Sequence, residues 1–183
     1  MTREEAHDLL TEHLKTPNLL KHTYAVEAVM ARLAERFGED PERWGLVGLL
    51  HDIDYDQTSD DPDLHSRKGA DILAQEGMDT EMVEAVRAHN DRHGFARETA
   101  MAKALYATDP LTGLIVAAAL IHPDKKLDSL DVDFIMNRYG ESSFARGARR
   151  ENIASIEELG LDLEEFVQLA LQAMQDVSDD LGL

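Results

Sequence analysis

Helix start and stop signals recur along the whole of this sequence, and no segment between turn signals shows sustained two-residue alternation. Thr2 is placed to cap a helix with Glu5 at the capping-box position, and Leu9, Leu10 and Leu14 follow at helical spacing. Pro17 suits a first turn and opens a long amphipathic helix through Leu19, Leu20, Val26, Met30 and Leu33 to Phe37, where Gly38 stops it. Asp40-Pro41 starts the next helix, which carries the apolar run Trp44 to Leu50 and closes on His51-Asp52. Tyr55 to Asp63 reads as a polar loop. Helices are then expected from about Leu64 to Glu76, from Thr80 to about His89, and from Glu98 to Ile121 with a break near Asp109-Pro110, with Gly77 and Gly94 as stops. A shorter helix is expected around Asp131 to Arg138, another beginning near Arg146, and a last one capped by Asp162 and running to about Val177. The expectation is an all-α helical bundle.

Composition bounds the function. A chain of 183 residues fits one domain and buries roughly 70% of its unfolded surface without needing staples. There are no cysteines, which excludes disulfides and thiolate-ligated zinc, so any metal must be held by His, Asp or Glu. With 18 Lys+Arg against 37 Asp+Glu the net charge is −19. A field of that sign repels nucleic acid polymers and anionic membranes. A small phosphorylated metabolite stays compatible with it, because the local charge of a metal outweighs a distant acidic surface. The first residues, Thr2 to Asp8, hold neither a basic n-region nor an apolar h-region, so no signal peptide is expected and the expected compartment is the cytoplasm. The apolar stretch Leu114 to Ile121 is too short to span a bilayer.

Six residues with metal-ligating side chains lie in order along the first part of the chain: His22, the adjacent His51-Asp52, His65, His89 and Asp109. A His-Asp pair at the end of an apolar helical run is an unusual way to build an ordinary core. Imidazole nitrogen with carboxylate oxygen suits a borderline-hard divalent ion, one that activates water at neutral pH. Neighbouring residues on a helix do not face the same way. The pair converges on one ion only if it sits near a helix end and other helices bring the remaining ligands.

In this order and setting the residues resemble the HD-domain superfamily of metal-dependent phosphohydrolases. His22 lies early in a long helix, His51-Asp52 ends the following one, and Asp109 lies in Ala107-Thr108-Asp109-Pro110-Leu111-Thr112-Gly113-Leu114. Leu64 to Leu73 is similar to the His-x-x-x-Gly-x-x-x-Leu element of binuclear members, and Val86-Arg87-Ala88-His89-Asn90 to their next His-bearing helix. The likeness extends through Lys125-Lys126 and Ser143-Phe144-Ala145-Arg146-Gly147, and the whole chain is most similar to a group of short, stand-alone HD hydrolases. The resemblance implies an HD-domain-like helical bundle over 1–183, with a metal-ligand core at about 18–121 and a C-terminal helical extension at about 125–183. It implies His51 and Asp52 as catalytic and, with His22 and Asp109, as ligands of one ion. His65 and His89 would hold a second, with Asp52 bridging. Cofactors are one or two divalent ions, and the donor set suits Mn, Fe, Mg, Co, Ni or Zn alike.

Other residues leave alternatives open. Asp54 stands where the common His-Asp-Ile-Gly form has glycine; it reads equally as an orienter of a ligand histidine or as a solvated acid at a helix end. His93, just before Gly94, reads as a loop-surface histidine, with a ligand or substrate contact as the alternative, and His7, His13 and His122 read as surface residues. Phosphate recognition needs cations. Arg146 is the first choice and Lys126 the second among Lys125, Lys126, Arg138, Arg146, Arg149 and Arg150; surface salt bridges with neighbouring acids are the competing reading, and Lys21 is a further candidate. The expected function is a phosphohydrolase cleaving a small nucleotide or other phosphorylated metabolite with metal-activated water. The alternatives are an HD-fold di-iron oxygenase and a non-catalytic, metal-stabilised interaction module.

Overall fold

The computed structural model describes residues 1–183 and contains helices and no strand. Helix α1 (Arg3–His13) opens on a complete capping box: Thr2 Oγ1 accepts from the Glu5 amide at 3.2 Å and Glu5 Oε2 from the Thr2 amide at 2.8 Å. Helix α2 (Pro17–Phe37) has proline in its first turn and ends at Gly38 in the left-handed region, φ +72°. Asp40 caps α3 (Pro41–Leu50) by accepting from the amides of Glu42 and Arg43. Then follow α4 (Tyr55–Thr58), α5 (Arg67–Gln75), α6 (Thr80–Ala88), α7 (Ala100–Ile121), α8 (Val132–Gly140), α9 (Arg150–Ala154), α10 (Leu163–Asp176) and α11 (Ser178–Leu181). Short 3-10 turns interrupt the connections at Asp91–His93, Leu127–Ser129 and Ser155–Leu159.

Helix α7 is the axis of the bundle. It packs against α2, α3, α6, α8, α9 and α10, and one continuous apolar core runs from Ala6 to Leu181. Trp44, Met30, Leu33, Leu105 and Phe166 are among its largest fully buried side chains. By length and composition α7 is apolar enough to cross a bilayer, longer than Leu114 to Ile121 alone suggests. In this fold it is the core helix, with Leu105, Thr108, Leu111, Thr112 and Ile115 all buried.

Three local expectations differ from the structure, each for a physical reason. The break near Asp109-Pro110 does not occur: Pro110 lies inside a continuous helix. Proline removes one rung of the ladder, but the buried turns on both sides of it are gripped by neighbouring helices. The polar stretch 55–63 contains α4, fixed by bonds from far along the chain: the Asp56 carboxylate accepts from the amides of Lys15 and Thr16 and from Thr16 Oγ1, at 2.6 to 3.0 Å. The helix expected near Arg146 begins at Arg150, because Ala145 has φ +43° and the chain curls before it can enter the helical region.

Candidate metal centre

The site is built where α2 and α3 cross. A Cβ on Gly48 would lie 2.8 Å from the Glu27 Cα and amide nitrogen and from the Val26 carbonyl carbon, so only glycine permits this approach. Val26 and Glu27 lie one turn beyond His22, and Gly48 one turn before His51. Close contact at this crossing therefore sets the two imidazoles side by side, ring centroids 5.2 Å apart. The turn closing α3 supplies His51 and Asp52, the turn before α5 His65, the end of α6 His89 and the middle of α7 Asp109.

Asp52 is the centre of the cluster. Its Oδ1 lies 3.5 Å from His51 Nε2, 3.4 Å from His65 Nε2 and 3.4 Å from His89 Nε2, and its Oδ2 lies 3.9 Å from His22 Nε2. Asp109 Oδ1 lies 3.0 Å from His22 Nε2 and 3.9 Å from His51 Nε2. Ligand atoms around one ion at about 2.1 Å sit roughly 3 to 4.2 Å apart, so these separations match a coordination sphere. Two overlapping groups bring one ligand atom from each residue within 4.8 Å of one another, His22–His51–Asp109 and His51–Asp52–His89. The structure thus gathers all six residues singled out from the sequence.

Partners at the far ring nitrogen fix each tautomer. His51 Nδ1–H donates to the Gly48 carbonyl at 2.8 Å and His89 Nδ1–H to the Val86 carbonyl at 2.6 Å. His65 Nδ1–H donates to Asp54 Oδ1 at 2.9 Å. Thr112 Oγ1 gives its proton to the Asp109 carbonyl and faces His22 Nδ1 at 3.3 Å as an acceptor. A carbonyl can only accept, so in a neutral ring the lone pair is left on Nε2, and all four Nε2 atoms face the carboxylates. Those of His51 and His89 are buried with no hydrogen-bond partner. Buried polar atoms are seldom orphaned. A divalent cation would satisfy them, and the all-nitrogen-and-oxygen donor set fits one.

The electrostatics agree. Burial pushes the His51 imidazole below its usual value, which leaves its Nε2 lone pair free at neutral pH. Burial pulls His89 down as well, but the Asp52 carboxylate beside it prevails and raises it to about 9. His22 is raised too, the Asp109 carboxylate outweighing burial. Burial alone would raise Asp52, yet the imidazoles around it hold it far below the usual carboxylate range. No lysine or arginine pairs with Asp52, Asp54 or Asp109; the only basic side chains beside them are imidazoles.

Asp54 and His93 have roles that residue identity alone left open. Asp54 is fully buried, so it is not a solvated acid: Oδ1 accepts from His65 and Oδ2 from the Gly69 amide at 2.8 Å. His93 is half-buried, and its Nε2–H donates to the His65 carbonyl at 2.8 Å rather than facing the cluster. Ser66, next to His65, holds φ +71°, a strained conformation for a residue with a side chain, and its buried hydroxyl donates to the Arg87 carbonyl. His7 is half-buried rather than a free surface residue, its Nε2 within 2.9 Å of the Tyr24 hydroxyl.

The cluster opens on one side, where Asp109 is 34% and His22 21% exposed. A cleft of about 310 Å³ lies against these two residues, walled by Pro110, Gly113, Ala145, Gly147 and Ala148. Arg146 is exposed between two of the wall residues and makes no ion pair. Lys126 is not among the residues that line this cleft; it lies in the connection after α7. Arg138 and Arg149 form salt bridges, to Glu141 and to Asp91 and Glu151. Arg150 does something different. Its guanidinium donates to six main-chain carbonyls, those of Arg138, Tyr139, Glu141, Phe144, Ala145 and Ala148, at 2.6 to 3.2 Å. It is the pin that curls the segment forming the cleft wall. Nothing in its sequence setting distinguishes it from its neighbour Arg149.

The family model described as HD domain matches residues 19–120, more than half of the chain. Ribonuclease Y of Lawsonia intracellularis is 31% identical over 105 residues, which is 57% of this chain and 20% of that protein. Ribonuclease Y of Nitratidesulfovibrio vulgaris is 30% identical over 96 residues, 52% of this chain and 18% of that protein. Ribonuclease Y of Enterococcus faecalis is 28% identical over 170 residues, 90% of this chain and 32% of that protein. The chain spans between about a fifth and a third of the length of these relatives.

Proposed function

The chain belongs to the HD-domain family, and from that premise we propose that it is a metal-dependent phosphohydrolase acting on a small phosphorylated metabolite, a nucleotide or a sugar phosphate. The observation that carries this reading is the convergence of four Nε2 atoms on the Asp52 carboxylate, two of them buried with no hydrogen-bond partner. His22, His51, Asp52 and Asp109 would hold one divalent ion, and His65 and His89, with Asp52 shared, a second. Such ions supply Lewis acidity and bring the pKa of water toward neutrality.

The protein's own residues set direction and access. His22 and Asp109 form the open side of the cluster, so a phosphoester enters there. Gly113, Ala145 and Gly147 present little side chain, which leaves the cleft wall free for phosphoryl oxygens. Arg146, unpaired at the apex of that wall, offers a planar fork matched to phosphate. Asp109 Oδ1 and His22 Nε2, 3.0 Å apart, hold a proton between them when no cation does.

The relatives' name describes cleavage of RNA. This chain spans only part of them, and its net charge of −19 repels a polyanion that binds mainly through its phosphates. A small substrate, held by the site alone, avoids that penalty. A screen of nucleotides, cyclic dinucleotides, sugar phosphates and a single-stranded RNA, each with Mn²⁺, Mg²⁺, Co²⁺ or Fe²⁺, tests the reading. Metal-dependent release of phosphate or of a nucleotide from a small substrate is expected. Turnover of RNA alone would overturn the substrate class. Iron-dependent oxygen consumption with no phosphoester turnover would overturn the reaction.

A further inference from the structure

We propose that Asp54 is a positioning residue that makes the His65 side of the cluster competent to hold its own ion, so that this carboxylate decides whether the chain binds one divalent ion or two. The proposal rests on the metal reading above and goes beyond it. It concerns a residue set behind the ligand ring, against the Nδ1 edge of His65, while the Nε2 edge faces Asp52.

Asp54 Oδ1 accepts from His65 Nδ1–H at 2.9 Å and Oδ2 from the Gly69 amide at 2.8 Å. One carboxylate therefore ties the turn after α3 to the first turns of α5. The space for it is supplied by Gly69. A Cβ there would lie 3.3 Å from Asp54 Cγ and 3.4 Å from Ile53 Cγ2, so the carboxylate would have to give by a few tenths of an ångström. His65 needs this support more than His51 and His89 do. His51 and His89 donate to carbonyls of their own helices, three residues back, and so are oriented by local geometry. His65 lies before α5, next to the strained Ser66, and has no such internal acceptor. Its backbone is fixed from outside, its carbonyl accepting from His93 Nε2–H at 2.8 Å and Asn90 Nδ2–H at 3.2 Å. Its ring is fixed by Asp54 and by the edge-on ring of Tyr55, centroids 5.1 Å apart.

Two consequences follow from an acceptor-only partner. A carboxylate can receive Nδ1–H but cannot offer a proton back, so it holds the proton on Nδ1 and the lone pair on Nε2, 3.4 Å from Asp52 Oδ1. Asp54 also adds a third carboxylate to a buried group that no lysine or arginine neutralises, and so favours further positive charge on the His65 side.

Asp54→Asn is the discriminating change. An amide has one oxygen, so it either accepts from His65 and sets its NH₂ against the Gly69 N–H, or accepts from Gly69 and turns a donor toward His65 Nδ1. The second arrangement moves the ring proton to Nε2 and removes the lone pair from the site. Titration of the metal-free protein with Mn²⁺, followed by calorimetry and by electron paramagnetic resonance, reads both ions. Wild type is expected to take up two equivalents with a spin-coupled signal. Asp54→Asn is expected to keep the first and weaken the second about 10- to 100-fold, in the range seen for loss of a ligand histidine's outer partner, with a signal of isolated Mn²⁺. Equal affinity for the second ion in wild type and variant, or one equivalent in wild type, overturns the role of Asp54 while leaving the first ion standing. Wild type that takes up none removes the metal reading itself. A measurement on wild type guards against a variant that does not fold: ring ¹H–¹⁵N correlation spectra of the metal-free protein are expected to place the His65 proton on Nδ1, and a proton on Nε2 alone overturns the proposal.

Discussion

His89 ties the chemistry of the site to pH. Burial lowers its imidazole, the Asp52 carboxylate raises it by more, and the result is a proton held up to about 9 in the metal-free protein. An ion needs that Nε2 lone pair, so uptake must expel the proton. Below pH 9 the affinity for the ion attached to His89 is expected to fall about tenfold for each unit of acidification, and to level off above it. Calorimetry at several pH values, in buffers of different ionisation enthalpy, reads both the slope and the released proton; an affinity independent of pH between 6 and 8 would contradict the assignment. His51 contributes no such slope near neutrality, since burial already leaves it neutral. The six candidate ligands are legible in the sequence because each is a residue type that ordinary cores avoid, set in a recognisable order. The work of Asp54 is not, because residue identity does not say that the chain after α3 turns inward and buries a carboxylate against His65.

Two contacts between elements carry the geometry of the site. The crossing of α2 and α3 depends on Gly48, where a methyl group would meet the backbone of Val26 and Glu27 at 2.8 Å. Gly48→Ala is expected to cost about 1–3 kcal/mol of stability from overpacking, read by denaturant unfolding. It should weaken metal binding as well, because the same crossing aligns His22 with His51. Unchanged stability would mean that the helices are not pressed together as described. The other contact is Arg150 and its six carbonyls. Arg150→Ala is expected to cost at least about 2 kcal/mol, since hydrogen bonds to a charged group contribute more than neutral ones. Amide exchange across residues 138–148 should accelerate while metal stoichiometry stays at the wild-type value. Exchange protection that survives the change would remove Arg150 as the pin of the cleft wall. Helix existence is largely readable from caps and apolar spacing. What is not readable depends on distant partners: α4 is held by bonds between Asp56 and the chain before α2, and α7 runs on through Pro110 because its flanks are packed.

Across the whole molecule, the acidic excess and the core act against each other. A net charge of −19 on one continuous core is self-repulsive, and salt shortens the range of that repulsion from about 30 Å at 0.01 M to about 3 Å at 1 M. The melting temperature of the metal-free protein is therefore expected to rise with NaCl concentration, and a fall would show that specific ion pairs outweigh the repulsion. The same field concentrates divalent cations near a site whose buried carboxylates no lysine or arginine neutralises. Asp52 is where all of this meets, touching four imidazoles and standing between both proposed ions. Metal content and phosphoester turnover should therefore be measured side by side in wild type and Asp52→Ala. The expected result is bound divalent ion and turnover in wild type, with both reduced by at least about a hundredfold in the variant, the upper range seen even for outer partners of metal ligands. Turnover that survives in Asp52→Ala would contradict a metal-centred hydrolase.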